Sequence, residues 1–182
     1  MLMKKIELEN CTFVKTILML LIVCYHSIIF WTGSWIKVEP VYTSELFNYL
    51  ARWMNSFHIY AFTLVSGYIF CYVKYEKGKY QEFIPFVLNK AKRLIVPYVF
   101  VSVIWAVPIG TALFDWDFKS IFRNYVLGMQ PNQLWFLLML FWVFLIFWLI
   151  SDFSRKYTVK SFFVAVCFYG LGLVGSRKIP NV

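Results

Sequence analysis

Five apolar segments of roughly 16 to 21 residues limit what this 182-residue chain can fold into. A helix needs about 20 mostly apolar residues to cross the hydrocarbon core of a bilayer. The chain is 61% hydrophobic and only 15% charged, whereas a soluble domain is about 25% charged. We therefore predict an all-α, polytopic membrane helical bundle that forms a single membrane domain over residues 1–182. Its transmembrane helices, about five, are expected at approximately 16–36, 53–73, 94–114, 134–150 and 161–176, with an earlier start near Leu46 as an alternative for the second.

The net charge of +9 comes from lysines and arginines that lie between the apolar segments. The N-terminal tail and the connections after the second and fourth segments hold most of them, and by the positive-inside rule these regions, including the N-terminus, are cytoplasmic. Basic residues spread in this way do not form a patch on a soluble face, so no nucleic-acid partner is expected. The four cysteines form no CxxC pair, and neither a disulfide framework nor a metal site is expected.

Two connections carry apolar side chains at helical spacing. Residues 115–126, DWDFKSIFRNYV, indicate a helix that lies flat at the outer interface. Residues 80–94, YQEFIPFVLNKAKRL, indicate a similar helix on the inner surface that leads into the third span. Pro97 would then fall in the first turns of that span, where a proline costs little.

The first span contains two ionisable residues, Lys15 and His26. They are 11 positions apart, which returns them to nearly the same side of a helix and separates them by roughly 16 Å along its axis. Such groups are costly in lipid unless they face other protein or a water-filled cavity. We therefore expect this stripe to face inward, with Lys15 near the inner interface and His26 near mid-membrane. A structural histidine bonded to a neighbouring helix is the alternative interpretation.

Other polar positions allow both a structural and a functional interpretation. His58 falls near the outer end of the second predicted span, where an interfacial histidine is ordinary. Ser66 and Gly67, deeper in that span, are small enough to allow close helix approach. Lys90, Lys92 and Arg93 are either positive-inside anchors or an anion clamp, for which the guanidinium fork is well suited. Trp135 is expected to be an interface anchor.

Four stretches in this order resemble the acyltransferase 3 family of integral membrane O-acyltransferases. The Lys form of the first motif is similar to the fucose 4-O-acetylase-like branch of that family. The chain has Thr12 where the family often has an acidic residue, Tyr25 where it often has glycine, and Tyr60 where it often has proline. The matching motifs are Lys15 with His26, then Phe57, His58, Ser66, Gly67, Tyr68 and Phe70, then Lys90, Arg93, Leu94, Pro97 and Tyr98, and finally residues 134–137.

The resemblance implies a membrane-bound enzyme that transfers an acyl group, usually acetyl, from acyl-CoA to a hydroxyl of an envelope sugar or glycolipid, in a bacterial cell membrane. It implies a catalytic His26, assisted by His58, and no metal. It assigns Lys15, Lys90, Lys92 and Arg93 to acyl-CoA binding and Ser66, Tyr68 and Trp135 to substrate binding. Members of the family usually have about ten spans, so the chain is expected to cover the N-terminal half of the family pattern.

In the mechanism expected from these residues, burial disfavours a charged imidazolium and leaves His26 available as a base. His26 would then take the proton of an acceptor hydroxyl that attacks the thioester. Direct transfer and an acetyl-histidine intermediate both fit the sequence. Two other hypotheses remain: a small multi-pass transporter or channel subunit with buried histidines, and a catalytically inactive half-protein.

Overall fold

The structure, a computed structural model, describes residues 2–32, 42–129 and 132–176, and every regular element in these ranges is a helix. The predicted all-α fold is therefore confirmed. The chain forms two compact units, Met1–Gln81 and Glu82–Val182. The first contains α1 (Leu2–Ile28) and α2 (Glu45–Tyr75); the second contains α3 (Phe83–Val101), α4 (Val107–Phe114), α5 (Phe118–Ile121), α6 (Trp135–Lys156) and α7 (Thr158–Ser176).

Within the described ranges, four helical stretches are long and apolar enough to cross a bilayer: Glu9–Thr32, Glu45–Glu76, Phe83–Ala112 and Trp135–Lys156. The second and third begin at Glu45 and Phe83, upstream of the predicted starts at 53 and 94. The fifth predicted span lies in α7, whose apolar stretch Thr158–Phe168 is shorter than these four. Residues 33–36 of the first predicted span, and the side chains at 169 and 171–176, lie outside the described part of the chain.

Polar side chains in α1 and α2 form hydrogen bonds within their own helices. The hydroxyl of Thr16 donates to the Thr12 carbonyl at 3.1 Å, and that of Ser27 donates to the Val23 carbonyl at 2.9 Å. Thr63 donates to its own helix in the same way. Because lipid offers no hydrogen-bond partners, such bonds let hydroxyl side chains occupy a membrane helix.

The start of α2 is fixed by Ser44. Its hydroxyl accepts a bond from the Phe47 backbone N–H at 3.4 Å, which is an N-cap arrangement. Its own backbone N–H donates to the carbonyl of Trp31 at 3.0 Å, just after α1. The end of the first helical stretch and the start of α2 are therefore tied together, which places α1 and α2 side by side.

The buried side of α2 is a row of side chains four residues apart, here called the α2 ridge. Four residues turn a helix about 40° beyond one full turn, so a row at this spacing winds around the helix axis. The first half of the ridge faces α1, whereas Phe70, farther along, stacks on Tyr80 of the following loop at 6.1 Å. The ridge comprises Met54, His58, Phe62, Ser66, Phe70 and Lys74.

In the second unit, α3 and α6 pack through aromatic side chains and one lysine. Phe86 of α3 is fully buried and stacks on Trp148 of α6 with ring centroids 6.3 Å apart. One turn along α3, the ammonium of Lys90 lies 3.6 Å from the centre of the Phe144 ring. A cation over an aromatic face is attractive, so Lys90 contributes to the packing of these helices.

Pro97 lies in the interior of α3, because the helix begins at Phe83 and runs to Val101. The prediction that it occupies the first turns of its helix, at little cost, was wrong: the preceding connection is continuous with the span. Pro97 has no N–H to donate to the carbonyl four residues earlier, that of Arg93. A π-helical segment, Ser102–Ala106, follows shortly after it, and such wider turns accommodate irregularities in a helical ladder.

The predicted interfacial helix is formed by α5 and the π-helical segment Phe122–Val126 that continues it. Phe118 is 82% exposed, whereas Tyr125 is buried. The hydroxyl of Tyr98, in α3, donates to the Tyr125 carbonyl at 2.6 Å. The segment ends with Gly128 at a φ of +69°, a conformation that favours glycine. One face of this helix is therefore attached to α3, and the other is exposed.

Gly110, in α4, lies directly under an indole ring. The helix ends at Phe114, Asp115 adopts a left-handed conformation, and Trp116 folds back so that its N–H donates to the Gly110 carbonyl. A methyl group at Gly110 would lie 1.9 Å from Cε3 of Trp116. Only glycine therefore fits this position without a shift of the indole.

Candidate functional site

His26 lies on α1 and is partly buried. Its Nδ1 is 2.8 Å from the carbonyl oxygen of Ile22, one turn earlier in the same helix. A carbonyl oxygen only accepts hydrogen bonds, so Nδ1 carries the proton and donates it. In the neutral ring this leaves Nε2 with an unprotonated lone pair, which is the form that a general base requires.

His58 lies on the α2 ridge and is 1% exposed. The sequence placed it near the outer end of its span, but α2 begins at Glu45, so His58 is 13 residues into the helix. Its Nδ1 donates to the carbonyl of Met54, one turn earlier. The arrangement repeats that of His26, and it likewise leaves Nε2 as the basic nitrogen of a neutral ring.

Tyr25 contacts both imidazoles. Its ring centroid is 5.1 Å from that of His26, in an edge-to-face arrangement with an interplanar angle of 79°. The same ring is 5.2 Å from the imidazole of His58, tilted by 40°. Both distances fall within the range of aromatic pairs in contact. The cluster formed by Tyr25, His26 and His58 is called the three-ring cluster below.

Tyr25 stands where the family pattern often has glycine, and it was not among the predicted site residues. A usable signal was present nevertheless. Lys15, Leu18 and Tyr25 follow the three-and-four spacing of one helix face, and Leu18 is 5% exposed. Periodicity within α1 could therefore have placed Tyr25 on the side that faces α2.

Lys15 also points to α2. Its Nζ lies 4.7 Å from the centre of the Phe62 ring, which belongs to the α2 ridge one turn after His58. Four residues correspond to about 6 Å along a helix. The ammonium of Lys15 and the imidazole of His58 are thus directed to neighbouring positions on one face of α2, and the expected inward orientation of Lys15 is observed.

The predicted substrate residues of α2 differ in their surroundings. Ser66 is 3% exposed, and its hydroxyl has no hydrogen-bond partner among the residues that the structure describes. Tyr68 is 42% exposed. A methyl group at Gly67 would meet no described atom within 4 Å, so the interpretation of Gly67 as a point of close helix approach was wrong. The open side of α2 at this depth lies at Gly67, away from the ridge.

The remaining predicted site residues lie in the second unit, which is described separately. Lys92 and Arg93 are exposed on α3, and Lys90 rests on Phe144. Trp135 begins α6, is 45% exposed and contacts the Phe136 ring edge-to-face at 6.1 Å. The anion clamp at Lys90, Lys92 and Arg93 stays a prediction, and so does the contact between Trp135 and substrate.

The chemistry available around the three-ring cluster is that of two imidazoles, with the ammonium group of Lys15 on the neighbouring Phe62. Within the described ranges no three histidine, cysteine or acidic side chains come together as a metal site would require. A proton can be taken up at Nε2 of either histidine, and the cation on Phe62 can attract an anionic group. This set of functions suits transfer reactions in which a hydroxyl is the nucleophile.

Comparison with known proteins adds one finding. The sequence profile of the acyltransferase 3 family, described as an acyltransferase domain, matches residues 10–178. This range includes both histidines, Lys15 and the basic residues of α3. No curated protein and no solved structure matches the chain significantly.

Proposed function

The chain belongs to the acyltransferase 3 family, and from this premise we propose that it transfers an acyl group, most simply acetyl, from acyl-CoA to a hydroxyl of an envelope sugar or glycolipid. It is a multi-pass membrane protein of an acyltransferase family. We further propose that it acts in the bacterial cell membrane, and that the lysine at position 15 places it in the fucose 4-O-acetylase-like branch.

The observation that carries this proposal is the hydrogen bond from Nδ1 of His26 to the Ile22 carbonyl. It fixes the tautomer, so the basic Nε2 is available to an acceptor hydroxyl. As the hydroxyl oxygen bonds to the thioester carbonyl carbon, its proton passes to Nε2. The carbon–sulfur bond then breaks, the thiolate of CoA leaves, and the imidazolium proton can neutralise that thiolate. The products are an ester and free CoA.

Lys15 supports the same reaction from a neighbouring position on the α2 ridge. A fixed positive charge stabilises negative charge that develops in a transition state, more strongly where water is excluded. Its ammonium rests on Phe62, in a region where His58 and Ser66 are almost completely buried. We propose that Lys15 attracts the anionic groups of acyl-CoA, or the oxyanion of the tetrahedral intermediate, to the α2 ridge.

The test is an acyl-transfer assay with the full chain reconstituted in lipid vesicles. Radiolabelled acetyl-CoA is supplied with a panel of sugar and glycolipid acceptors, and label in the acceptor is counted. His26→Ala should lower the rate by about 10²- to 10⁴-fold, the usual contribution of a general base. Ser27→Ala is the matched control, because Ser27 is the exposed neighbour and bonds only to its own helix.

Membrane insertion of each variant is measured by alkaline extraction and protease protection. A correctly inserted His26→Ala protein that retains wild-type transfer would refute the assignment of His26. A wild-type chain that binds acetyl-CoA but labels no acceptor would refute the proposed reaction with those acceptors. pH-dependent flux without acyl-CoA binding would instead support the transporter hypothesis.

A further inference from the structure

The three-ring cluster contains one contact between helices at its centre. Adjacent residues on a helix point about 100° apart, so Tyr25 and His26 leave α1 in different directions. Tyr25 is the residue that reaches His58 of α2, while its ring edge still meets the imidazole of its own neighbour. The relative placement of the two imidazoles therefore depends on this tyrosine.

Among the residues that the structure describes, each imidazole forms a hydrogen bond at one nitrogen. The bonds from Nδ1 to the carbonyls of Ile22 and Met54 fix the tautomers, but a ring held at one nitrogen can still rock about that bond. A second restraint must come from a surface that packs against the ring. Tyr25 supplies such a surface to both imidazoles, at 5.1 and 5.2 Å.

The contact is made by the ring of Tyr25, because its hydroxyl forms no hydrogen bond to any residue in the described ranges. Phenylalanine should therefore replace it, whereas an aliphatic residue of similar size should not. We propose that Tyr25 is a positioning residue, whose aromatic ring holds the imidazoles of His26 and His58 in one fixed arrangement for acyl transfer. This inference rests on the proposed function, and it concerns a position at which the chain departs from the family pattern.

Kinetics provide the first test, in the reconstituted full chain. A catalytic group that is displaced by about 1 Å can lose about 100-fold in rate, so Tyr25→Leu should lower kcat by about 10- to 100-fold. KM for acetyl-CoA should change by less than about twofold, since the ring is not assigned to binding. Tyr25→Phe should restore kcat, and Tyr60→Leu, at a tyrosine of α2 that is 74% exposed, is the matched control.

Nuclear magnetic resonance provides a second test that does not need activity. The chain has only two histidines, so protein labelled with ¹⁵N-histidine gives two assignable imidazoles. In the wild type, both neutral rings should be Nδ1–H tautomers, and the signals of His58 should carry the ring-current shift of Tyr25. Tyr25→Leu should remove that shift and broaden the imidazole signals, because the rings are then free to rock, while Tyr25→Phe should preserve the shift and the narrow signals.

The outcomes separate the two proposals. If Tyr25→Leu disorders the imidazoles but the wild type transfers no acyl group, the positioning role is supported and the proposed function fails. If the wild type is active and His26→Ala is not, Tyr25→Leu with normal kcat overturns the positioning role. Unchanged imidazole spectra in Tyr25→Leu overturn it as well, whatever the kinetics.

Discussion

Replacing Tyr98 with phenylalanine removes one oxygen atom and tests how the exposed helix of the second unit is attached. Tyr98 is 5% exposed, and its hydroxyl donates to the Tyr125 carbonyl over a distance of 2.6 Å. That carbonyl lies within the last four of its helical segment, which ends at Val126. Helix geometry supplies no donor from the next turn to such carbonyls. The Tyr98 hydroxyl therefore supplies a hydrogen bond that the helix itself does not give to the Tyr125 carbonyl.

The expected magnitude follows from the burial of both groups. An ordinary protein hydrogen bond contributes about 0.5–1.5 kcal/mol net, but removing one partner of a buried pair costs about 1–3 kcal/mol. Phenylalanine retains the ring, so little packing is lost. We therefore expect Tyr98→Phe to destabilise the attachment of residues 118–126 by about 1–3 kcal/mol, which is roughly a 5- to 140-fold increase in opening.

Hydrogen exchange measured by mass spectrometry in detergent micelles reports this opening directly. Peptides that cover residues 118–126 should exchange faster by that factor in Tyr98→Phe, while peptides from α1 and α2 should not change. Tyr60→Phe removes an exposed hydroxyl of similar chemistry and serves as the control. Exchange in residues 118–126 that matches the wild type would refute the argument that this bond holds the helix.

Two further perturbations probe other parts of the structure. Gly110→Ala places a methyl group against the Trp116 ring, so it should lower the thermal stability and change the tryptophan fluorescence. Gly67→Ala is the matched control, because its methyl group meets no described atom within 4 Å. It should leave the stability unchanged or raise it by about 0.5–1 kcal/mol. Equal melting temperatures for both variants would contradict this. Hydrogen bonds from the Ser120 side chain and backbone hold the pKa of Asp117 below its ordinary value. The ionised carboxylate therefore stabilises the start of α5 fully above the ordinary carboxyl pKa, and this stabilisation is lost as the pH falls through the lowered pKa of Asp117. Exchange at Ser120 should rise over that acid range relative to Asp117→Asn, and parallel profiles for the two proteins would contradict the role of the carboxylate.

The fold class could be predicted from the sequence because a bilayer requires spanning helices of a certain length and apolar composition, and both properties can be read directly from the sequence. The apolar segments and the basic connections between them led to an all-α membrane protein, and the helices bear this out. The residues at which the helices begin were harder to predict from the sequence. The residues that precede the second and third predicted spans are more polar, yet they continue the same helices to Glu45 and Phe83.

The internal position of Pro97 and the role of Tyr25 show where sequence patterns stop being sufficient. Proline usually marks the first turn of a helix or a break in it. In α3 it is tolerated ahead of a π-helical segment, and no local sequence pattern predicted that segment. Periodicity could have placed Tyr25 on the packed face of α1, but it could not show that the ring meets His58 of α2. The motif residues were easier to select, since Lys15 and His58 are ionisable and lie in apolar runs.

The α2 ridge gives a physical reason to locate chemistry in the first unit. Its polar members are not required for packing, because leucine or methionine would fill the same positions without desolvating a polar group. Ser66 has a buried hydroxyl with no partner in the described part of the chain, an arrangement that costs about 1–3 kcal/mol. His58 satisfies Nδ1 through Met54, yet its second ring nitrogen, Nε2, is a further polar atom on a side chain that is almost completely buried. A ridge that holds both groups, with a lysine from α1 set against the phenylalanine between them, is less stable than an apolar ridge would be. Such a sequence is expected where a substrate supplies the missing hydrogen-bond partners, and the proposed acyl transfer would bring a substrate to this ridge.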